Sequence, residues 1–263
     1  MTHTLLQNPE ILKKLFHPKG WDKFEPLDPN TRNIAVEVDP NIFIRGLLYP
    51  AAAHSPAILF FHSNNETVAD LDAFADFFIQ MGITLLLIDY RGYGISDGIP
   101  TAINLLSDAL KVFLATEHIF KSNNLNPERL YVLGRCLGAA AALEVAFHAK
   151  DKIAGVILES GFAETLPLLE RLGIDISQLD EERDGFGNAL KISRITVPTL
   201  IVHGKEDFLI SPEQAEKLYR NSGALEKQIV LIPKVSHNNL MIVGVSQGKS
   251  PYFEAIRKFI FNK

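Results

Sequence analysis

One cysteine, a pair of glycines around it and two polar residues far downstream are the parts of this sequence whose types and spacing suit covalent chemistry. Cys136 stands at the centre of Gly134-Arg135-Cys136-Leu137-Gly138. A side chain at the tip of a sharp strand-to-helix turn needs residues without bulk two positions before and after it, and glycine fills both places. Apolar Leu130 to Leu133 ahead of the turn and the Ala139 to Ala142 run behind it supply a strand and a helix. Cys136 then faces the amino end of that helix, where free N–H groups and the helix dipole favour a thiolate nucleophile. A free cysteine after a strand also fits a small buried hydrophobe, so the downstream residues decide between the two uses.

Asp207 lies in His203-Gly204-Lys205-Glu206-Asp207 and His237 in Val235-Ser236-His237-Asn238, each just past an apolar, strand-like run. Nucleophile, acid and histidine follow in the chain order used by hydrolases built on an open α/β sheet. In that arrangement His237 accepts the thiol proton and returns it to the leaving group. Asp207 fixes the imidazole tautomer and stabilises its charged form. Taken singly, Asp207 also suits a turn and His237 a satisfied core residue; the ordered trio favours catalysis.

Asn64 and Leu137 are the expected oxyanion donors, through their backbone N–H groups. Asn64 belongs to the loop His62-Ser63-Asn64-Asn65-Glu66, directly after the apolar run Ala57 to Phe61. The nucleophile's successor and that loop each contribute one N–H in this architecture. His62 reads as a structural ring that hydrogen-bonds loop backbone. Asp89 to Gly98 reads as a glycine-rich scaffold loop in which Asp89 and Arg91 hold backbone in place. Its glycines form no dinucleotide fingerprint, and the eight histidines make neither HExxH nor a cysteine-histidine cluster, so neither cofactor nor metal is expected.

The elements that must position these residues are short apolar runs alternating with amphipathic stretches, the pattern of a mostly parallel sheet with helices on both faces. Strands are predicted at Ile34 to Val38 and Ile42 to Leu48, joined as an antiparallel hairpin by Asp39-Pro40-Asn41. Further strands follow at Ala57 to Phe61, Thr84 to Ile88, Arg129 to Leu133, Ala154 to Leu158, Thr199 to His203 and Gln228 to Ile232. Helices are predicted over Thr67 to Met81, Ala102 to Phe120, Leu137 to Ala149, Pro212 to Asn221 and Pro251 to Ile260. Pro9 to Phe16 is amphipathic and suits packing onto its own domain. Residues 160–195 are glycine-punctuated, with short helical patches, and form a candidate small cap insertion within a single domain spanning 1–263. There Phe162, Leu166, Leu168, Leu169, Leu172 and Phe186 suit either a small apolar acyl group or simple core cover.

Composition narrows the partners. With 26 basic and 31 acidic residues the chain carries a formal charge of -5, so no global positive field draws it to nucleic acid. Its apolar runs fall well short of the roughly 20 residues needed to span a bilayer. Leu5-Leu6 gives way at once to Gln7, Asn8 and Pro9, without a signal-peptide core, and a lone thiol stays reduced most easily in a cytoplasm. A soluble cytoplasmic protein is expected; the sequence favours no oligomeric state.

Together, His62-Ser63-Asn64, Asp89-Tyr90-Arg91-Gly92-Tyr93-Gly94-Ile95-Ser96, the Cys136 elbow, His203 to Asp207 and Ser236-His237-Asn238 resemble the α/β-hydrolase superfamily over Ile34 to Ile260. The resemblance is to a small serine-hydrolase branch similar to monoglyceride lipases and serine aminopeptidases. Two positions depart from it: Cys136 replaces the usual serine, as in dienelactone hydrolase, and Ser63 replaces a usual glycine. The resemblance implies an α/β-hydrolase fold and hydrolysis of a small-molecule carboxylic ester or thioester through an acyl-enzyme. Acyl transfer on the same site, or ligand binding without turnover, are the alternatives.

Overall fold

The computed structural model describes residues 8–21 and 24–261. The Leu5-Leu6-Gln7 stretch considered for export lies outside the described residues.

Eight strands form one sheet in the order β1-β2-β4-β3-β5-β6-β7-β8. They are β1 Arg32–Asp39, β2 Ile42–Tyr49, β3 Ala57–Phe61, β4 Thr84–Ile88, β5 Leu130–Arg135, β6 Gly155–Glu159, β7 Thr199–Gly204 and β8 Lys227–Ile232. β1 pairs antiparallel with β2, and β2 antiparallel with β4. From β4 to β8 every neighbour is parallel. The expected hairpin at the antiparallel edge is present, turned by Asn41 at φ 62°.

Alternation along the central strands explains the layers. Leu59 and Phe61 of β3 join one apolar cluster, whereas Ile58 and Phe60 join another on the opposite face. The first cluster holds α1 Pro9–Leu15, α3 Ala102–Ser122, α4 Gly138–Ala149, α5 Leu166–Arg171, α7 Asn188–Ser193 and α8 Pro212–Asn221. The second holds α2 Val68–Gln80 and α9 Pro251–Phe261. A four-residue helix, α6 Glu181–Asp184, lies between α5 and α7.

Local sequence sets the helix boundaries. Thr67 and Asp70 cap α2 reciprocally, with Thr67 N–H donating to Asp70 Oδ2 at 2.7 Å. Thr101 Oγ1 accepts Asn104 N–H at the start of α3, and Pro212 opens α8 with its φ already helical. The amphipathic Pro9 stretch folds as α1, capped by Asn8, and buries Ile11 and Leu15 against its own domain.

Between β6 and β7, residues 160–195 form no strand and carry α5, α6 and α7. Phe162, Leu168, Leu169 and Phe186 are buried, while Leu166 and Leu172 are half-buried against the same core. Glu181 holds this segment together by accepting the N–H groups of Thr165 and Leu166, both at 2.8 Å. Among the described residues no helix is long and apolar enough to cross a membrane.

Candidate active site

Parallel strands end together, so the loops after β3, β5, β7 and β8 meet at one edge of the sheet. Phe61 pairs with Gly134 and Gly204 with Ile232, which sets neighbouring loops side by side.

The elbow is the tightest of these turns. Cys136 takes φ 52°, in the left-handed region, and its N–H donates to Glu159 O at 2.9 Å. A Cβ at position 134 would lie 2.3 Å from Gly138 O, and one at position 138 would lie 2.1 Å from Phe61 O. Both glycines are therefore demanded by close backbone approach. The alanines of α4 are buried to Ala142, which lets that helix lie near the sheet.

Asp207 and His237 converge on Cys136. Asp207 Oδ1 accepts the N–H groups of Leu209 and Ile210 at 3.0 and 2.9 Å, a turn that pins the carboxylate. Its Oδ2 meets His237 Nδ1 at 2.7 Å and lies 3.3 Å from His203 Nε2. With Nδ1 committed, Nε2 is the free ring nitrogen; it is buried and has no hydrogen-bond partner among the described residues. Cys136 and His237 interact closely enough to move each other's proton affinity.

Burial pushes the Cys136 thiol up. The nearby His237 charge, with the polar groups of Ser63 and the Leu137 backbone, outweighs burial and holds the thiol below its ordinary value. Burial lowers His237, but the Cys136 charge and the Asp207 hydrogen bond raise it above the usual imidazole range. Burial also works against the Asp207 charge, and the hydrogen bonds from His203 and His237 more than offset it. The balance favours a thiolate–imidazolium pair beside an ionised carboxylate.

Of the two expected oxyanion donors, Leu137 directly follows Cys136 at the start of α4, and Asn64 N–H, in the loop after β3, makes no hydrogen bond among the described residues. Around Asn64 the loop is held at several points. Tyr93 Oη donates to Asn64 O at 2.8 Å, Asn64 Nδ2 donates to Leu15 O at 3.0 Å, and Tyr90 Oη donates to His62 O. His62 packs at a tilt against Tyr90, bonds Ser63 O through Nδ1 and lies 3.2 Å from Asp89, in the structural role expected of it. Asp89 also accepts Val68 N–H, and Arg91 spans Asp108 and Asp39, so these charges serve the scaffold.

The sequence reading missed three contributors: Glu66, which accepts Ser63 N–H at 2.7 Å, and Tyr90 and Tyr93, which brace the Asn64 loop. The two tyrosines within Asp89 to Gly94 were the available signal: buried phenols need partners. Among the described residues no group of three or more His, Cys, Asp or Glu is placed to hold a metal ion. Cys136 itself is 2% exposed. The N-terminal segment crosses close by, with His17 N–H donating to Tyr93 Oη and Asn64 O, and α1 packing on α5.

Comparison with known proteins matches residues 52–174 and 189–241 to the family described as serine aminopeptidase, S33. The interruption, 175–188, falls inside the candidate cap. An uncharacterized Escherichia coli protein, YfhR, is 30% identical over 198 residues, covering 74% of this chain and 67% of that protein. A Saccharomyces cerevisiae protein named as uncharacterized membrane protein YNL320W is 29% identical over 194 residues, covering 71% of this chain and 64% of its own length. In fold, the chain is similar to the Pyrococcus furiosus esterase Pf2001, with TM-score 0.73, 15% identity, and 93% and 99% of the two chains covered.

Proposed function

Because the chain belongs to the serine aminopeptidase S33 family of α/β-hydrolases, we propose that it hydrolyses a small carboxylic ester or thioester through Cys136, His237 and Asp207. One observation carries the reading: Asp207 holds His237 Nδ1 at 2.7 Å and leaves Nε2 to a thiol poised on a positive-φ elbow.

The thiolate of Cys136 attacks the carbonyl carbon and forms a carbon–sulfur bond. The carbonyl electron pair moves onto oxygen, which Asn64 N–H and Leu137 N–H receive. Collapse of this intermediate breaks the bond to the leaving alkoxide or thiolate, and His237 Nε2 gives it a proton. Water then attacks the acyl-cysteine while His237 takes its proton. The carbon–sulfur bond breaks, the acid departs, and the thiolate–imidazolium pair is restored. Asp207 stays ionised throughout and stabilises the charged ring.

Residues 160–195 act in this proposal as a small cap on a single domain. Phe162, Leu168 and Leu169 share an apolar cluster with Cys136 and support a preference for a short apolar acyl group. The lone free cysteine supports a reducing, cytoplasmic setting.

The test is p-nitrophenyl ester turnover across acyl lengths, alongside labelling by a thiol-directed probe mapped by mass spectrometry. Turnover with labelling at Cys136, both lost in His237→Ala, is the expected result. Absence of turnover with every ester and thioester, together with Cys136 labelling that ignores His237, overturns the proposal in favour of ligand binding. Product analysis with added alcohols or amines separates hydrolysis from acyl transfer.

A further inference from the structure

Two backbone segments must be held at a fixed spacing for one carbonyl oxygen to meet both Asn64 N–H and Leu137 N–H. They belong to different loops, one after β3 and one after β5. Pairing of Phe61 with Gly134 is the last strand contact before they separate. Beyond that point an ionic link joins them. Arg135, the residue before Cys136, places Nη1 2.9 Å from Glu66 Oε2. Glu66 Oε1 in turn accepts Ser63 N–H at 2.7 Å.

The link is buried and anchored on its far side. Arg135 Nε lies 3.2 Å from Glu159 Oε1, and Glu159 Oε2 accepts Tyr252 Oη at 2.8 Å. The side chains of Arg135, Glu66 and Glu159 are only 8%, 14% and 0% exposed. Glu159 also supplies the main-chain oxygen that receives Cys136 N–H. A charge triad with this burial is costly to assemble and gives weak reason to exist for stability alone, since apolar packing does as well. Its placement gives it a second use. Glu66 occupies Ser63 N–H, whereas the next N–H, that of Asn64, makes no hydrogen bond among the described residues. By gripping Glu66, Arg135 fixes that loop against the elbow.

We propose that Glu66 and Arg135 are positioning residues for the oxyanion hole, tying the Asn64 loop to the Cys136 elbow so that the Asn64 and Leu137 N–H groups converge on one oxygen. The inference rests on the Cys136 hydrolase reading. Neither side chain touches substrate in this account; both act through backbone donors.

The test compares two reactions of the same thiol. Ester hydrolysis and hemithioketal formation with an aryl trifluoromethyl ketone each place negative charge on oxygen. Alkylation by iodoacetamide displaces iodide at a saturated carbon and makes no oxyanion. In Glu66→Gln, kcat/KM for p-nitrophenyl acetate and trifluoromethyl ketone affinity fall together, by about tenfold. That is less than the about 100- to 1000-fold for outright loss of a donor. The iodoacetamide rate constant at Cys136 stays within about twofold of the parent. Arg135→Lys, which keeps the charge toward Glu66, retains more of both than Arg135→Met.

Equal loss of alkylation and hydrolysis in Glu66→Gln and Arg135→Lys makes the pair a merely structural brace and overturns the inference, as does unchanged ketone affinity. Wild-type protein that binds the ketone at Cys136 yet turns over no ester overturns the hydrolase reading instead. The ketone comparison still tests the pair in that case.

Discussion

His237 Nδ1 and Asp207 Oδ2 stand 2.7 Å apart although 30 residues separate them in the chain. The carboxylate is immobilised first, by Leu209 and Ile210 N–H on its other oxygen. The imidazole is then oriented by a group that cannot itself rotate.

Asp207→Asn therefore separates orientation from folding. The amide oxygen can still accept the Leu209 and Ile210 N–H groups, so the melting temperature changes little. An NH2 facing Nδ1 forces the ring toward the wrong tautomer, and ester kcat falls by about 1000-fold or more. Steady-state kinetics with parallel thermal melts check both halves. A variant with near-parental kcat removes Asp207 from the mechanism.

The two reactions of Cys136 differ in pH dependence. Its thiol lies below the ordinary value because the His237 interaction overcomes burial, while His237 is raised above its own. The thiolate fraction grows as pH rises through the lowered thiol value. Half-maximal iodoacetamide reactivity accordingly falls below the ordinary thiol pKa of about 8.5 and then plateaus. Ester turnover also needs a proton on Nε2 for the leaving group, so it declines again as pH passes the raised His237 value. Alkylation is thus sigmoidal and hydrolysis bell-shaped. In His237→Gln the alkylation midpoint moves upward; a midpoint that stays put contradicts the ion pair.

Cys136→Ser loses activity. The surroundings support a thiolate–imidazolium pair, and a serine hydroxyl is too weak an acid to form one, so kcat/KM for esters drops by about tenfold or more. Burst and steady-state assays on matched preparations read this directly. A gain in turnover identifies the site as serine-tuned.

Gly138→Ala tests the elbow packing. The added Cβ would sit 2.1 Å from Phe61 O, against backbone that cannot rotate away. The expected cost is about 3 kcal/mol, at the upper end for overpacking. This lowers the melting temperature by roughly 6–12 °C in a chain of this size. A stable, fully active variant contradicts the close approach.

Much of this was legible in the sequence because it depends on local rules. Alternating runs placed Thr84–Ile88 and Pro212–Asn221 at their observed bounds, and β3 at Ala57–Phe61. The ends of β5 and α3 shifted by one or two residues, where backbone pairing and the last helical turn run past the apolar residues that mark them. The elbow was readable because only glycine tolerates the contacts around Cys136, and Asp207 and His237 because strand-end loops gather at one edge.

By itself the sequence determined the strands and helices, the turn that presents the thiol, and the chain order of thiol, carboxylate and imidazole. Tertiary structure decided which loops became neighbours. β3 inserts between β4 and β5 out of chain order, and this brings Tyr90 and Tyr93 from one side and Arg135 from the other onto the Asn64 loop. Hydrophobic periodicity records which face of a strand is buried, not which strand lies beside it. The Glu66–Arg135 link, 69 residues apart, exists only once that sheet order is set.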